Sequence, residues 1–324
     1  MDPRSGAGPY GWMITLTADL TAARAGDETA FGRLVAPHRP ELLAHCYRML
    51  GSAHDAEDAL QDALLRAWRA LGRFEGRSSL RSWLYSIATN VCLRAIERRG
   101  RRLLPQDAAR GEGEVRWLEP FPDVELRDER PTPEARYEER ESVELAFVAA
   151  LQHLSPRQRA VLLLRDVLGF APAEIAESLQ ASPAAVYSAL QRAHATVEEK
   201  APERSQQATL RSLGDRHVKE LAERYVAAWE NADVAGMLRL LTDDATFAMP
   251  PLPQWYRGRE AIGAFLRDGP FARPRWRLAP AHLNGQLSFT YLESDGTPHA
   301  VDVLDLSPDG RIAAITAFLG PQEA

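Results

Sequence analysis

Over much of its first two hundred positions this chain repeats apolar residues at spacings of three and four, the period of helices with one buried face. In AEDALQDALLRAWRAL, Leu60, Leu64, Ala67, Trp68 and Leu71 share a stripe. Leu80, Leu84, Ile87, Val91 and Ile96 form a second one, after a loop bracketed by Gly72 and Gly76, with Ser78 or Ser79 placed to cap the helix. LSPRQRAVLLLRDVLGF starts with Ser155 as N-cap and Pro156 at the first helical position, and ends near Gly169. APAEIAESL predicts a short helix with Ile175, Ala176 and Leu179 inward, and QAS turns the chain. SPAAVYSALQRAHATVEEK restarts with a Ser182 cap and Pro183, burying Val186, Leu190 and Ala193.

The pattern then changes. Residues 214–324 begin with helical stripes through Val218, Leu221, Tyr225 and Ala228, then Trp229, Met237, Leu240 and Leu241. ATFAM reads as a short strand and GREAIGAFLRD as a helix; the rest alternates like strands, with SDG and PDG marking tight turns. Helices followed by a curved antiparallel sheet predict an α+β unit. Residues 104–140 hold Pro, Gly and acids with weak periodicity and read as a linker. The expected organisation is a disordered tail (1–16), a helical bundle (17–103), the acidic linker, a second all-α unit (141–200) and the α+β domain (214–324).

Composition adds bounds. The 324 residues are 45% hydrophobic and 26% charged, enough for two or three domains. No apolar run reaches membrane-spanning length, and MDPRSGAGPYGW has no signal-peptide pattern. Met13 is an alternative start. These features predict a cytoplasmic protein without membrane association. Cys46 and Cys92, the only cysteines, read as buried thiols. No metal site or cofactor is expected, because a zinc site needs more closely spaced ligands.

Charge is segregated within the net −6. Ten arginines face Glu75 and Glu97 between Arg66 and Arg102, whereas thirteen acids face six arginines between Asp107 and Glu144. A basic block followed by an acidic block is a nucleic-acid footprint. Arg94, Arg98, Arg99, Arg101 and Arg102 exceed what a helix C-terminus needs and read as a phosphate-binding surface. The short helix, three-residue turn and longer helix ending near Lys200 fit a helix-turn-helix, with a plain helical hairpin as the alternative. In the DNA-binding reading, Ala184, Tyr187, Ser188, Gln191 and Arg192 face the major groove.

Three stretches, DAEDALQDALLRAW, FEGRSSLRSWLYSIATNVCL and LSPRQRAVLLLRDVLGFAPAEIAESLQASPAAVYSALQRA, together resemble bacterial extracytoplasmic-function (ECF) sigma-70 factors in order and spacing. The resemblance implies sigma region 2 over 17–103 and region 4 over 141–200. It implies that Asp55, Glu57, Asp58, Gln61 and Asp62 dock on the β′ clamp helices of core RNA polymerase. Phe74, Arg77, Ser78 and Ser79 would hold a flipped −10 base, whose unstacking costs a few kcal/mol. Trp83 and Asn90 would lie where the strands part, Trp83 being equally suited to the core. Arg94, Arg98, Arg99 and Arg102 would grip upstream phosphates, and the helix from Ser182 would read the −35 element. The implied partners are core polymerase, through the β′ clamp and β flap, and promoter DNA. Tyr187 and His194 stand where relatives often carry a basic residue and Arg, and Arg94 where an Asp is frequent. RWLEPFPDVEL resembles the linker of relatives with C-terminal extensions and would thread the polymerase channels; a plain tether is the alternative.

The C-terminal third resembles SnoaL-like polyketide cyclases of the nuclear-transport-factor-like cone fold, carried by YVAAWENADVAGMLRLLTDDATFAMPPLPQWYRGREAIGAFL and NGQLSFTYLESDG. The resemblance implies a pocket, for which Trp229, Met249, Trp255, Tyr256, His282, Asn284, Tyr291 and Asp302 are candidates, with Asp302 and His282 as a conceivable acid–base pair. The leading expectation is a sigma factor modulated in cis by this domain, itself no enzyme. The alternative is a DNA-binding module fused to a cofactor-free enzyme or a small-ligand sensor.

Overall fold

A computed structural model describes residues 11–108, 116–125, 141–272 and 276–320, with side chains from Thr17 onward. The tail expected over 1–16 lies partly outside these; the first helix, α1 (Gly11–Arg24), already begins at Gly11. α2 (Glu28–Val35), α3 (Arg39–Leu50), α4 (Ala53–Ala70) and α5 (Leu80–Arg99) complete the first bundle. Ser52 and Ser79 cap α4 and α5 by accepting from Asp55 N and Ser82 N. Leu60 and Ala63 of α4 and Leu84, Ala88 and Cys92 of α5 close on Leu42, Cys46 and Met49 of α3.

The α3 sequence lacks a clean polar face because residues Glu41 to Leu50 are all buried. Its polar side chains bind other parts of the chain. Arg48 donates to Ser142 Oγ at 2.6 Å, and the buried Arg159 donates to Met49 O and, at 2.7 Å, to Gln152 Oε1.

The second helical unit comprises α6 (Leu145–Gln152), α7 (Pro156–Leu162), α8 (Pro172–Ser178) and α9 (Pro183–Lys200). α7 opens with a capping box between Ser155 and Gln158 and continues through a π-turn to Val167. Between the two units, the expected linker is partly structured. β1 (Arg102–Leu103) and β2 (Arg116–Trp117) pair in parallel, and Leu118 and Phe121 are buried in the common helical core.

Beyond α10 (Gln206–Leu213), the α+β domain contains α11 (Asp215–Glu230), α12 (Val234–Leu240), β3 (Leu241–Ala248), β4 (Trp255–Arg257), α13 (Arg259–Asp268), β5 (Arg277–Leu283), β6 (Gln286–Leu292), β7 (Pro298–Leu306) and β8 (Ile312–Leu319). The sheet order is β4-β3-β8-β7-β6-β5, with β3 and β8 parallel and the other pairs antiparallel. One face packs Phe289, Tyr291, Leu304 and Ile315 against Tyr225, Trp229, Met237, Ile262 and Leu266 of the helices. The opposite face places Val303 and Phe318 in the helical core of the first two hundred residues. A sheet covered on both faces needs apolar residues at nearly every position, which accounts for the apolar run IAAITAFL in β8.

Candidate nucleic-acid and polymerase interface

The acidic face of α4 divides in two. Glu57, Asp58 and Gln61 are exposed and Asp62 is half-buried, where Asp62 holds Arg66 at 2.9 Å. Asp55, expected among the docking acids, is buried instead. It binds Arg102 at 2.7 Å, Arg116 at 3.2 Å and Arg99. Burial favours the neutral carboxyl, but hydrogen bonds and charge from Arg102, aided by Arg116 and Arg99, outweigh it and hold the group below its usual range. Sequence reasoning missed Leu65, which is 54% exposed beside these acids. It follows Gln61 by four positions and so lies on the same face.

The expected phosphate grip also divides. Arg94, Arg98 and Arg99 project from the exposed side of α5, although Arg99 also pairs with Asp55. Arg102 is buried, joining Asp55 to Glu119 Oε1 at 2.7 Å and to Trp117 O, so it cannot grip DNA in this arrangement. The other Glu119 oxygen accepts from Ser52 Oγ at 2.5 Å. This network ties the linker to α4 and α5.

In the loop before α5, Arg77 and Ser79 are exposed and Ser78 is half-buried. Phe74, expected to hold a flipped base, is buried and packs 5.0 Å from the Trp83 ring. Trp83 is half-buried against the core, intermediate between its two sequence readings. Asn90 is exposed, donating to Ser86 O and, at 3.5 Å, to Ser178 O of α8.

On α9, Ser182, Ala184, Tyr187, Ser188, Gln191 and Arg192 are all exposed, Tyr187 to 60%. Val186, Leu190 and Ala193 face the core. The helix thus keeps its apolar stripe inward and a polar stripe outward, the arrangement that the second helix of a helix-turn-helix requires.

The C-terminal candidates do not form one pocket. Asp302 is buried and accepts from the hydroxyls of Tyr225 and Tyr291, which lie 3.0 Å apart. Trp229 packs edge-on 4.6 Å from Tyr291. Burial pushes the Asp302 carboxyl up to about 7, against the pull of the two tyrosines. Its Oδ1 has no hydrogen-bond partner among the described residues. His282 is exposed on edge strand β5, opposite Leu287, whereas Asp302 stands opposite Phe289. The conceivable acid–base pair is therefore not made. Met249 is half-buried, and Tyr256 stacks on Phe265 at 4.4 Å. Trp255 is 40% exposed on the other edge strand.

Asn284 was placed in the pocket by sequence, but it is buried between domains. Its amide donates to Tyr47 Oη at 2.8 Å and Val143 O at 2.7 Å, and its Oδ1 accepts from Phe121 N at 2.9 Å. The Asn-Gly hairpin at 284–285 has positive φ at both residues, as a tight hairpin turn requires. Pro122 and Leu283 form an antiparallel bridge beside it. Glu144 accepts from Gln206 N at 2.8 Å and Gln207 N at 2.7 Å, and Leu145 N donates to Gln286 Oε1 at 2.7 Å. Three parts of the chain thus meet at one polar joint.

Among the described residues no group of acids, His and Cys could hold a metal ion, and no helix is long and apolar enough to cross a membrane. Family profiles match residues 34–102 as Sigma-70 region 2, 144–196 as Sigma-70 region 4 and 222–315 as a SnoaL-like domain. The ECF RNA polymerase sigma factor SigG of Mycobacterium tuberculosis is 44% identical, spanning 94% of this chain and 86% of that protein. RNA polymerase sigma-H factor of Pseudomonas aeruginosa is 32% identical over 57% of this chain and 95% of that one. The crystal structure of the M. tuberculosis extracytoplasmic function sigma factor SigJ covers 87% of this chain and 94% of its own, at 25% identity and a TM-score of 0.56. With both sigma regions matched and a 44% identical relative aligned over nearly the whole chain, this chain belongs to the ECF RNA polymerase sigma factor family, in a form carrying a C-terminal SnoaL-like domain.

Proposed function

We propose that the protein directs core RNA polymerase to promoters through −10 and −35 readers, and that the arrangement seen here is its silent form, held closed by the SnoaL-like domain. The observation that carries this reading is the contact between α5 and the first helix of the helix-turn-helix. Asn90 of α5 reaches Ser178 O, and Ser82 donates to Glu174 at 3.2 Å; both partners belong to α8. Arg81 donates to Leu168 O at 3.4 Å. Elements named −10 and −35 are about 25 base pairs apart, or about 85 Å of B-DNA at about 3.4 Å per step. With α5 held against α8, the helix packed beside the −35 reader α9, the two readers cannot span that distance.

Opening requires the linker to leave the polar joint at Asn284 and region 4 to give up its Arg159 and Ser142 contacts with α3. Docking on polymerase would use Glu57, Asp58, Gln61, Asp62 and Leu65, which are accessible or half-accessible in the closed form. Asp55 and Arg102 would serve by holding the linker. The three surviving surface arginines of α5 would meet phosphates, and the exposed stripe of α9 would enter the major groove. Run-off transcription with core polymerase tests this reading: the chain should initiate weakly alone and more strongly once the Asn284 joint is weakened. Equal initiation in both forms would refute the gate, and no initiation by either would refute the role in initiation.

The buried Asp302 cluster supports a second role for the SnoaL-like domain, as a sensor of small ligands rather than an enzyme. A carboxyl with an unpaired oxygen can donate to or accept from a ligand's polar group according to its protonation, while His282 stands apart and the acid–base pair is not formed. Calorimetric titration with small hydroxylated ring compounds, repeated on Asp302→Asn, tests it.

A further inference from the structure

A cleft of about 500 Å³ lies between the linker and the SnoaL-like domain. Trp117 and Pro120 form one wall; Pro250, Pro251, Val301 and Phe318 form much of the other. It lies apart from the Asp302 cluster. Asp302 alternates with Val301 and Val303 along β7, so its side chain points to the helix-covered face while theirs point to the sigma core.

We propose that this cleft is an effector site for an uncharged, largely apolar molecule of one to three rings, which stabilises the closed form. The volume falls within the ordinary range for small-molecule sites, roughly 300–1,000 Å³, and such sites favour domain interfaces. The proline and aromatic walls are stiff, so little ordering is needed on binding. Of the ionisable lining residues, Arg102 and Glu119 bind each other at 2.7 Å, Arg102 is further engaged by Asp55, and His299 faces Glu293 at 3.2 Å. A charged ligand would therefore lose its water without gaining a counter-charge. An apolar one loses nothing by entering.

The two walls come from different parts of the chain, and they meet only while the linker is docked. A ligand that needs both walls binds the closed form better than the open one and shifts the population toward it. The site thus acts as a co-repressor site, and this role rests on the closed form being the silent one.

The neutral two-ring dye N-phenyl-1-naphthylamine, whose fluorescence rises in apolar surroundings, is the probe. The full chain should bind it saturably at one site. Val301→Trp, which fills the cleft, should weaken binding at least about tenfold, and Asp302→Asn should leave it unchanged. Non-saturable binding, unchanged binding by Val301→Trp, or loss on Asp302→Asn would overturn the assignment. If Val301→Trp fails to fold, labelling decides: the dye should slow maleimide modification of Leu319→Cys, which lines the cleft, but not of the exposed Leu252→Cys. Equal rates with and without dye at Leu319→Cys would overturn it. Run-off transcription reads the gate separately. Saturable binding with reduced initiation supports the co-repressor role, whereas saturable binding with unchanged initiation removes that role.

Discussion

The side-chain amide of Asn284 donates to the hydroxyl of Tyr47 at 2.8 Å, joining the SnoaL-like domain to the centre of sigma region 2 across 237 positions of sequence. The same hydroxyl donates to Glu119 O at 3.0 Å, so one tyrosine holds both the linker and the C-terminal hairpin. Tyr47→Phe should loosen docking by about 1–2 kcal/mol, the usual worth of one or two buried hydrogen bonds. Asn284→Ala should cost about 2–4 kcal/mol, because it leaves Val143 O and Phe121 N unpaired. The double variant should cost less than the sum, as for residues sharing one bond. Limited proteolysis of the linker and run-off initiation should rise together in this series.

Asp55 and Asp58 sit three residues apart on one helix and should behave oppositely. Asp55→Asn leaves the buried guanidinium of Arg102 without its Asp55 counter-charge and should destabilise the helical unit by about 3–5 kcal/mol in thermal or urea unfolding. Asp58→Ala removes an exposed acid and should change stability by less than about 0.5 kcal/mol, yet weaken binding to core polymerase. Normal core binding by a folded Asp58→Ala protein would remove this face from the docking surface.

For promoter reading, Gln191→Ala and Arg192→Ala should each lower initiation about ten- to a hundredfold at promoters that depend on the −35 element, the worth of a good base-edge contact. Thermal stability should stay unchanged, since both side chains are exposed.

The Asp302 carboxyl titrates near 7 when folded and in the ordinary acid range, about 3.9, when unfolded. The folded form therefore holds a proton that the unfolded form releases. Stability of the C-terminal domain should fall as pH rises from about 4 to about 7 and level off above that. Asp302→Asn mimics the neutral carboxyl, so it should stabilise the domain by on the order of 4 kcal/mol at pH 8, and by little at pH 4. Chemical denaturation at the two pH values checks this.

Much of this was legible in sequence because local rules carried it. The Ser155 and Ser182 caps and the stripe of α9 depend on spacings within one helix, and they place the reading face without tertiary information. Three residues stand in other surroundings than the sequence suggested, for one physical reason. Asp55, Arg102 and Asn284 are polar side chains whose partners lie far away in the chain, and composition gives no sign of a distant partner. A usable signal existed for α3: His45, Tyr47 and Arg48 interrupt its apolar face, as expected for a helix buried on all sides. The loop FAMPPLPQWYRG was read for its aromatics, yet its prolines 250 and 251 face the linker while Trp255 points to solvent.

The gate can be tested on the full chain by fixing the linker to the domain it contacts. Pro122 and Leu283 are opposed in an antiparallel bridge, a geometry in which Cα atoms lie about 4.5–5.5 Å apart and a disulfide fits. Run-off transcription by Pro122→Cys/Leu283→Cys, oxidised and then reduced, measures the consequence directly, with each single substitution as control. Little initiation is expected from the oxidised protein, with recovery on reduction. Equal initiation from the oxidised and reduced forms would contradict the gate.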